Sequence, residues 1–128
     1  MRTTGIFATA FIFALGAVIA CGTAAALAAD ASAARDNFVA QCAKCHGDSG
    51  RGDGPAGATL ATKPRNFSDC TRMAKESDER VFNAIKGGGG SVGLSKDMPP
   101  WGEAFEDAEI KGLVAYVRQF CNSQRANK

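Results

Sequence analysis

Residues 42 to 46 read Cys-Ala-Lys-Cys-His, and that histidine is the only one in the 128-residue chain. Two thiols separated by two residues and followed at once by an imidazole limit the possible folds severely, because all three side chains have to serve one centre. The spacing is that of a c-type haem attachment site. The thiols can reach two vinyl groups on one edge of a porphyrin and form thioethers, while the imidazole swings beneath the ring to the iron. Two other readings fit poorly. Half a zinc site would need a second Cys/His pair nearby, and a thioredoxin-like dithiol would sit beside a βαβ pattern. Neither accompanies this motif, so His46 is the expected fifth ligand of a haem iron.

The rest of the chain is expected to be helical. Nowhere do apolar and polar residues alternate for more than a few positions without a glycine, so no strand is predicted. From Ala31 to Cys45, alanines with Phe38, Val39 and Cys42 at spacings of three and four predict a helix that delivers the thiols. The segment from Gly47 to Pro64 is rich in glycine and predicts irregular chain wrapped around the haem. A second helix is predicted from Asp78 to Lys86. Ser77 can cap it, Asp78 and Glu79 suit its positive end, and Val81, Phe82 and Ile85 recur at helical spacing, with Gly87 ending it. The third runs from about Asp107 to Cys121, with Ile110, Leu113, Val114, Val117 and Cys121 on one face. The composition, 45% hydrophobic and 22% charged, suits one small soluble domain. With so many glycines its own core is modest, and a buried haem would supply much of the missing apolar contact.

The N-terminus reads as an export signal. Met1 and Arg2 precede an uncharged apolar run from Gly5 to Ala20, and an A-x-A cleavage pattern stands at Ala26-Leu27-Ala28. The run is short for a hydrocarbon layer about 30 Å thick. The division expected is therefore a leader at 1–28 and a functional domain at 29–128. Val18-Ile19-Ala20-Cys21-Gly22 offers an alternative, a lipoprotein signal whose Cys21 becomes the lipidated first residue and holds the domain to a membrane. Either route leads to the periplasm or another extracytoplasmic space. Without the leader, lysines and arginines exceed acids by about one, which argues against a nucleic-acid partner.

The sixth position on the iron has two methionine candidates. Met98 lies in LSKDMPPWG, where Pro99 restricts the backbone before it and Pro99 and Pro100 have fixed φ, so its thioether has little conformational entropy to lose on ligation. Met73, in TRMAKESDER, has no such setting and reads as core packing. A five-coordinate iron would leave both as packing residues.

Taken together, C-x-x-C-H, Phe38 four residues before Cys42, Met98-Pro99 with Trp101-Gly102, and a C-terminal helix reading EIKGLVAYVRQF resemble the class I monohaem c-type cytochromes, over nearly all of the chain beyond the leader. The resemblance implies an all-α, cytochrome c-like fold around one covalently bound haem c. It implies a crossing of the first and last helices at an aromatic contact, which Phe38 and Tyr116 would supply. It also implies a proline carbonyl accepting the second N–H of the axial histidine, with Pro64 the first candidate and Pro55 the second. Arg65 and Trp101 would hydrogen-bond or pack around the haem propionates, and Met98 would be the distal ligand. The cofactor-binding set is thus Cys42, Cys45, His46, Met98, Pro64, Arg65 and Trp101, with His46 and Met98 on the metal.

A His/Met pair raises the reduction potential relative to two histidines and leaves no open position for substrate. The expected function is one-electron transfer between a redox donor and an acceptor, without enzyme activity. Alternatives are an electron-entry subunit of a larger oxidoreductase, or a small-molecule-binding or peroxidase-like haem protein without Met98 on the iron. Lys44 and Lys96 are interleaved with Asp48, Asp53 and Asp97, so no docking patch of one sign is evident. Finally, with Cys42 and Cys45 on haem and Cys21 removed or lipidated, Cys70 and Cys121 are an even remainder in an oxidising compartment. A disulfide between them would close a loop of about 50 residues, for which chain entropy gives roughly 4 kcal/mol. Two buried thiols are the alternative.

Overall fold

Helix α1 is already helical at residue 30 and ends at His46, with a π turn at Phe38–Cys42 between its α-helical portions. The computed structural model describes residues 30–126. The leader expected at residues 1–28 and the lipidation site at Cys21 lie outside the described residues. Three further helices follow: α2 at Cys70–Met73, α3 at Asp78–Gly87 and α4 at Asp107–Ala126. Single 3-10 turns stand at Gly57–Thr59 and Gly89–Val92. The fold is all-α, with no strand among the described residues.

The caps explain where the helices begin. Ser77 Oγ accepts from the Arg80 N–H at 3.1 Å, and Asp78 and Glu79 face the positive end of α3. Asp69 caps the short α2 in the same way, through the Arg72 N–H at 3.0 Å. At α4 the Glu109 carboxylate reaches back to the Glu106 N–H at 2.9 Å, which is the return half of a capping box. Helix α3 continues through Gly87, and Gly88, at φ 79°, takes the conformation that ends it. Helix α4 runs five residues past the predicted Cys121, to Ala126.

The core lies where α1 crosses α4. Phe38, Ile110 and Leu113 are the largest fully buried side chains, and Val114, Val117 and Cys121 complete the predicted face of α4. Phe38 meets Tyr116 at 5.2 Å and Phe120 at 5.3 Å between ring centroids. A small pair lets the backbones approach, since a Cβ on Gly112 would come within 3.4 Å of the Ala34 Cβ. Val39, grouped with Phe38 from the sequence spacing, faces outward instead at 49% exposure. In the π turn the Ala43 N–H bonds to the Phe38 carbonyl, five residues back, which rotates the helix between Phe38 and the cysteines.

Arg118 ties α4 to the α2–α3 connection. Its guanidinium bonds to Asp78 Oδ1 at 2.8 Å, to the Met73 carbonyl at 2.7 Å and to the Glu76 carbonyl at 2.5 Å. The charged donor thereby reaches two backbone carbonyls, of which that of Met73 also accepts from the Glu76 N–H at 3.2 Å.

Candidate functional site

The C-terminal end of α1 carries Cys42, Cys45 and His46 within little more than one turn. A helix end leaves its last carbonyls without partners, and the glycine-rich loop after the motif supplies them. Gly52 N–H bonds to the His46 carbonyl at 2.7 Å, Gly54 N–H to Cys45 at 3.2 Å and Ala56 N–H to Lys44 at 2.9 Å. A Cβ on Gly54 would lie 2.5 Å from both the Ala43 and Lys44 carbonyl oxygens, so only glycine permits this approach. The loop's first role is therefore to clasp the motif's own helical turn.

His46 is held from two sides. Its ring stacks on Phe67 at 4.5 Å between centroids and 17° between planes. Its Nδ1 lies 3.1 Å from the Arg65 carbonyl oxygen. A carbonyl only accepts, so Nδ1 carries the proton and Nε2 keeps the lone pair that a metal requires. Burial pushes the imidazole pKa below its ordinary value, with the Arg65 carbonyl partly opposing, which also favours the neutral ligand form. The acceptor is Arg65, a correction to the expected Pro64 carbonyl. That carbonyl instead faces Gly52, where a side chain would collide with it, and Pro55 is an exposed loop residue.

Burial pushes the Cys42 thiol up to about 11, against a smaller opposing effect of Lys44. At neutral pH it is a thiol, and since the thiolate is the nucleophile in disulfide exchange, this pair is poorly suited to dithiol redox chemistry. No group of three or more His, Cys, Asp or Glu side chains able to hold a metal ion occurs among the described residues.

Cys42, Val81, Phe82, Met98, Trp101 and Phe105 pack against the same core cluster as Ala43 and Phe67 while remaining only partly buried. Such half-covered apolar side chains fit a flat apolar group laid against them, and together with two thiols and a ligand-form imidazole the residues present fit a haem. Met98 is presented by tight backbone. The Gly89 N–H bonds to the Met98 carbonyl at 3.0 Å, and the Trp101 and Gly102 N–H groups bond to Ile85 and Lys86 at the end of α3, each at 3.0 Å. A Cβ on Gly88 would fall 2.9 Å from the Pro100 nitrogen, which explains the glycine run facing this loop. Trp101 is half-buried and stacks on Phe105 at 5.9 Å. Met73, by contrast, is 3% exposed inside the core.

The Arg65 side chain is engaged by Glu76 at 3.0 Å, and Glu76 also takes Arg80 at 2.8 Å. These three border an open depression of about 570 Å³ that Asp69, Thr71, Arg72, Lys75 and Leu94 also line, so four cations face two carboxylates there. Phe67 and Glu76 escaped sequence reasoning. Phe67 lies in a loop with no periodicity to mark it, and Glu76 reads as one more surface acid.

Cys70 and Cys121 lie beside one another without a bond between their sulfurs. Among the described residues no helix is long and apolar enough to cross a membrane.

The family described as "Cytochrome C oxidase, cbb3-type, subunit III" matches residues 29–117. Cytochrome c6 of Bryopsis maxima is 31% identical over 90 residues, covering 69% of this chain and 89% of that protein. The cbb3-type cytochrome c oxidase subunit FixP of Azorhizobium caulinodans is 30% identical over 87 residues, 68% of this chain but 26% of FixP. FixP of Bradyrhizobium diazoefficiens is 28% identical, and the match covers 27% of it, so the chain spans about a quarter of the FixP length. Among solved structures, the c-type cytochrome KustC0563 superposes with a TM-score of 0.55 at 31% identity, covering 68% of this chain and 95% of that one.

Proposed function

The chain belongs to the cbb3-type cytochrome c oxidase subunit III family of c-type cytochrome domains, and on that premise we propose how its residues carry electron transfer. Haem c, when bound, supplies a one-electron Fe(III)/Fe(II) couple. Cys42 and Cys45 would hold it through thioethers, and His46 Nε2 would be a ligand to its iron. Met98, presented by the Pro99-Pro100 backbone, would supply a sulfur ligand. Keeping the same two protein ligands in both oxidation states limits reorganisation, so the domain passes electrons without making or breaking a bond in its partner. Trp101 covers the apolar face beside Met98, and Arg65, at the cationic depression, suits the propionates. Pro64 stiffens the turn that brings the Arg65 carbonyl to His46.

The single observation that carries this reading is the His46 geometry: Nδ1 bonded to a carbonyl, Nε2 carrying the lone pair, on the turn that holds both thiols. We assign residues 1–28 to a leader and 29–128 to an exported domain in the periplasm or a comparable space, with redox proteins as donor and acceptor. Lipid on Cys21 is the variant of that assignment. The two FixP matches favour a second reading, in which the domain is the electron-entry part of an oxidase complex.

The test is spectroscopic. Oxidised protein with methionine on iron shows a weak near-infrared sulfur-to-iron band, and Met98→Ala should abolish it while intact mass still shows haem attached. A band that survives in Met98→Ala removes Met98 from the iron. Absence of the band from the wild-type protein would turn the reading toward small-molecule binding or peroxidase-like chemistry.

A further inference from the structure

We propose that Cys70 and Cys121 close an intramolecular disulfide that pins the segment behind His46 to α4. Three contacts bring the pair together. The Cys70 thiol lies 3.5 Å from the Ser68 carbonyl and 3.5 Å from the carbonyl of Cys121 itself, while the Cys121 thiol lies 3.3 Å from the Phe67 carbonyl. The two thiols therefore meet the carbonyls of the adjacent residues Phe67 and Ser68, and the Cys70 sulfur also touches the backbone of Cys121, 51 positions away in sequence. The turn they meet on belongs to the site: Phe67 stacks on His46, and two residues earlier the Arg65 carbonyl takes the imidazole N–H. A bridge here would hold both supports of His46 against the last helix. The family match covers Cys70 and ends at residue 117, four residues before Cys121.

The chemistry is thiol–disulfide exchange with an external disulfide. Cys70 is half-buried and Cys121 is 6% exposed, so Cys70 is the point of entry. Its thiolate attacks one sulfur of the external disulfide, forming a mixed disulfide and releasing one thiolate. The Cys121 thiolate then attacks the Cys70 sulfur, forming the Sγ–Sγ bond and releasing the second. The chain loses two electrons and two protons, and the external disulfide gains them as two thiols. In the cell this oxidant is a protein disulfide of the extracytoplasmic space, so that part rests on the export assignment above.

The experiment separates the two. Holoprotein is isolated with iodoacetamide present, denatured and weighed, with and without reductant, and a second sample is incubated with oxidised glutathione before alkylation. We expect no label before reduction, two labels after it, and one joined peptide containing Cys70 and Cys121. Cys70→Ser and Cys121→Ser should each take one label without reduction. Reduction with a phosphine should lower the melting temperature of the wild type and leave that of Cys70→Ser unchanged. Two labels in both samples, or only mixed disulfides with glutathione, overturn the bridge. Three labels on protein that retains its leader and hence Cys21, falling to one after closure by glutathione, support the bridge and place the failure in the export assignment.

Discussion

Replacing Phe38 with alanine removes the ring at the centre of the helix crossing. Phe38 is 1% exposed, and three aromatic neighbours surround it: Tyr116 at 5.2 Å, Phe120 at 5.3 Å and Phe67 at 6.3 Å. Truncation of a buried phenylalanine costs about 3–5 kcal/mol, combining lost transfer energy with the cavity left behind. The upper half of that range is expected here, because Ala34 of α1 already packs closely against Gly112 of α4 and leaves the helices little freedom to collapse into the space. A domain of about 100 residues shifts by about 4–8 °C for each kcal/mol, so the melting temperature should fall by about 16–40 °C. The assay is thermal unfolding of purified holoprotein followed by far-ultraviolet circular dichroism. A double-mutant cycle with Tyr116→Ala should then show a coupling of about 0.5–1.5 kcal/mol, the part specific to the ring pair. A fall below about 5 °C with no coupling would refute the crossing as the stability centre, leaving Phe38 as a dispensable apolar residue.

Met73→Ala should lose about 2–5 kcal/mol, because the side chain is 3% exposed in the core, and yet keep the near-infrared band that Met98→Ala loses. Gly54→Ala drives a Cβ into the Ala43 and Lys44 carbonyls, so it should cost about 2 kcal/mol or more and lower the yield of covalently attached haem on expression. Ser77→Ala removes the cap of α3 and should cost about 1 kcal/mol in denaturant melts, with the haem spectrum unchanged.

The parts legible in the sequence are those whose signal is local. C-x-x-C-H is a contiguous chemical pattern, and the apolar face of α4 repeats within the helix that displays it. Ser77 was likewise readable as a cap, because the donor it satisfies lies three residues away. The misreadings share a physical origin. The acceptor for His46 is a backbone carbonyl, and since every residue has one, side-chain identity pointed to Pro64 when the turn presents Arg65. Val39 was counted with Phe38 and Cys42 in the helical spacing and faces outward, and the π turn that begins at Phe38 belongs to a helix departing from the ideal period. The glycines after His46 read as irregular loop, while their use in clasping the motif depends on a close approach that no local pattern encodes.

Residue chemistry alone was therefore enough to point to the cofactor class and to mark the helical face that is buried. Which carbonyl orients the imidazole, that Phe67 supports its ring, that Glu76 gathers Arg65 and Arg80, and that Cys70 meets Cys121 were settled by chain packing. Those pairings join residues 19 to 51 positions apart or lie in loops, and distance in space between such groups is set by the folded core, for which a linear pattern carries no measure.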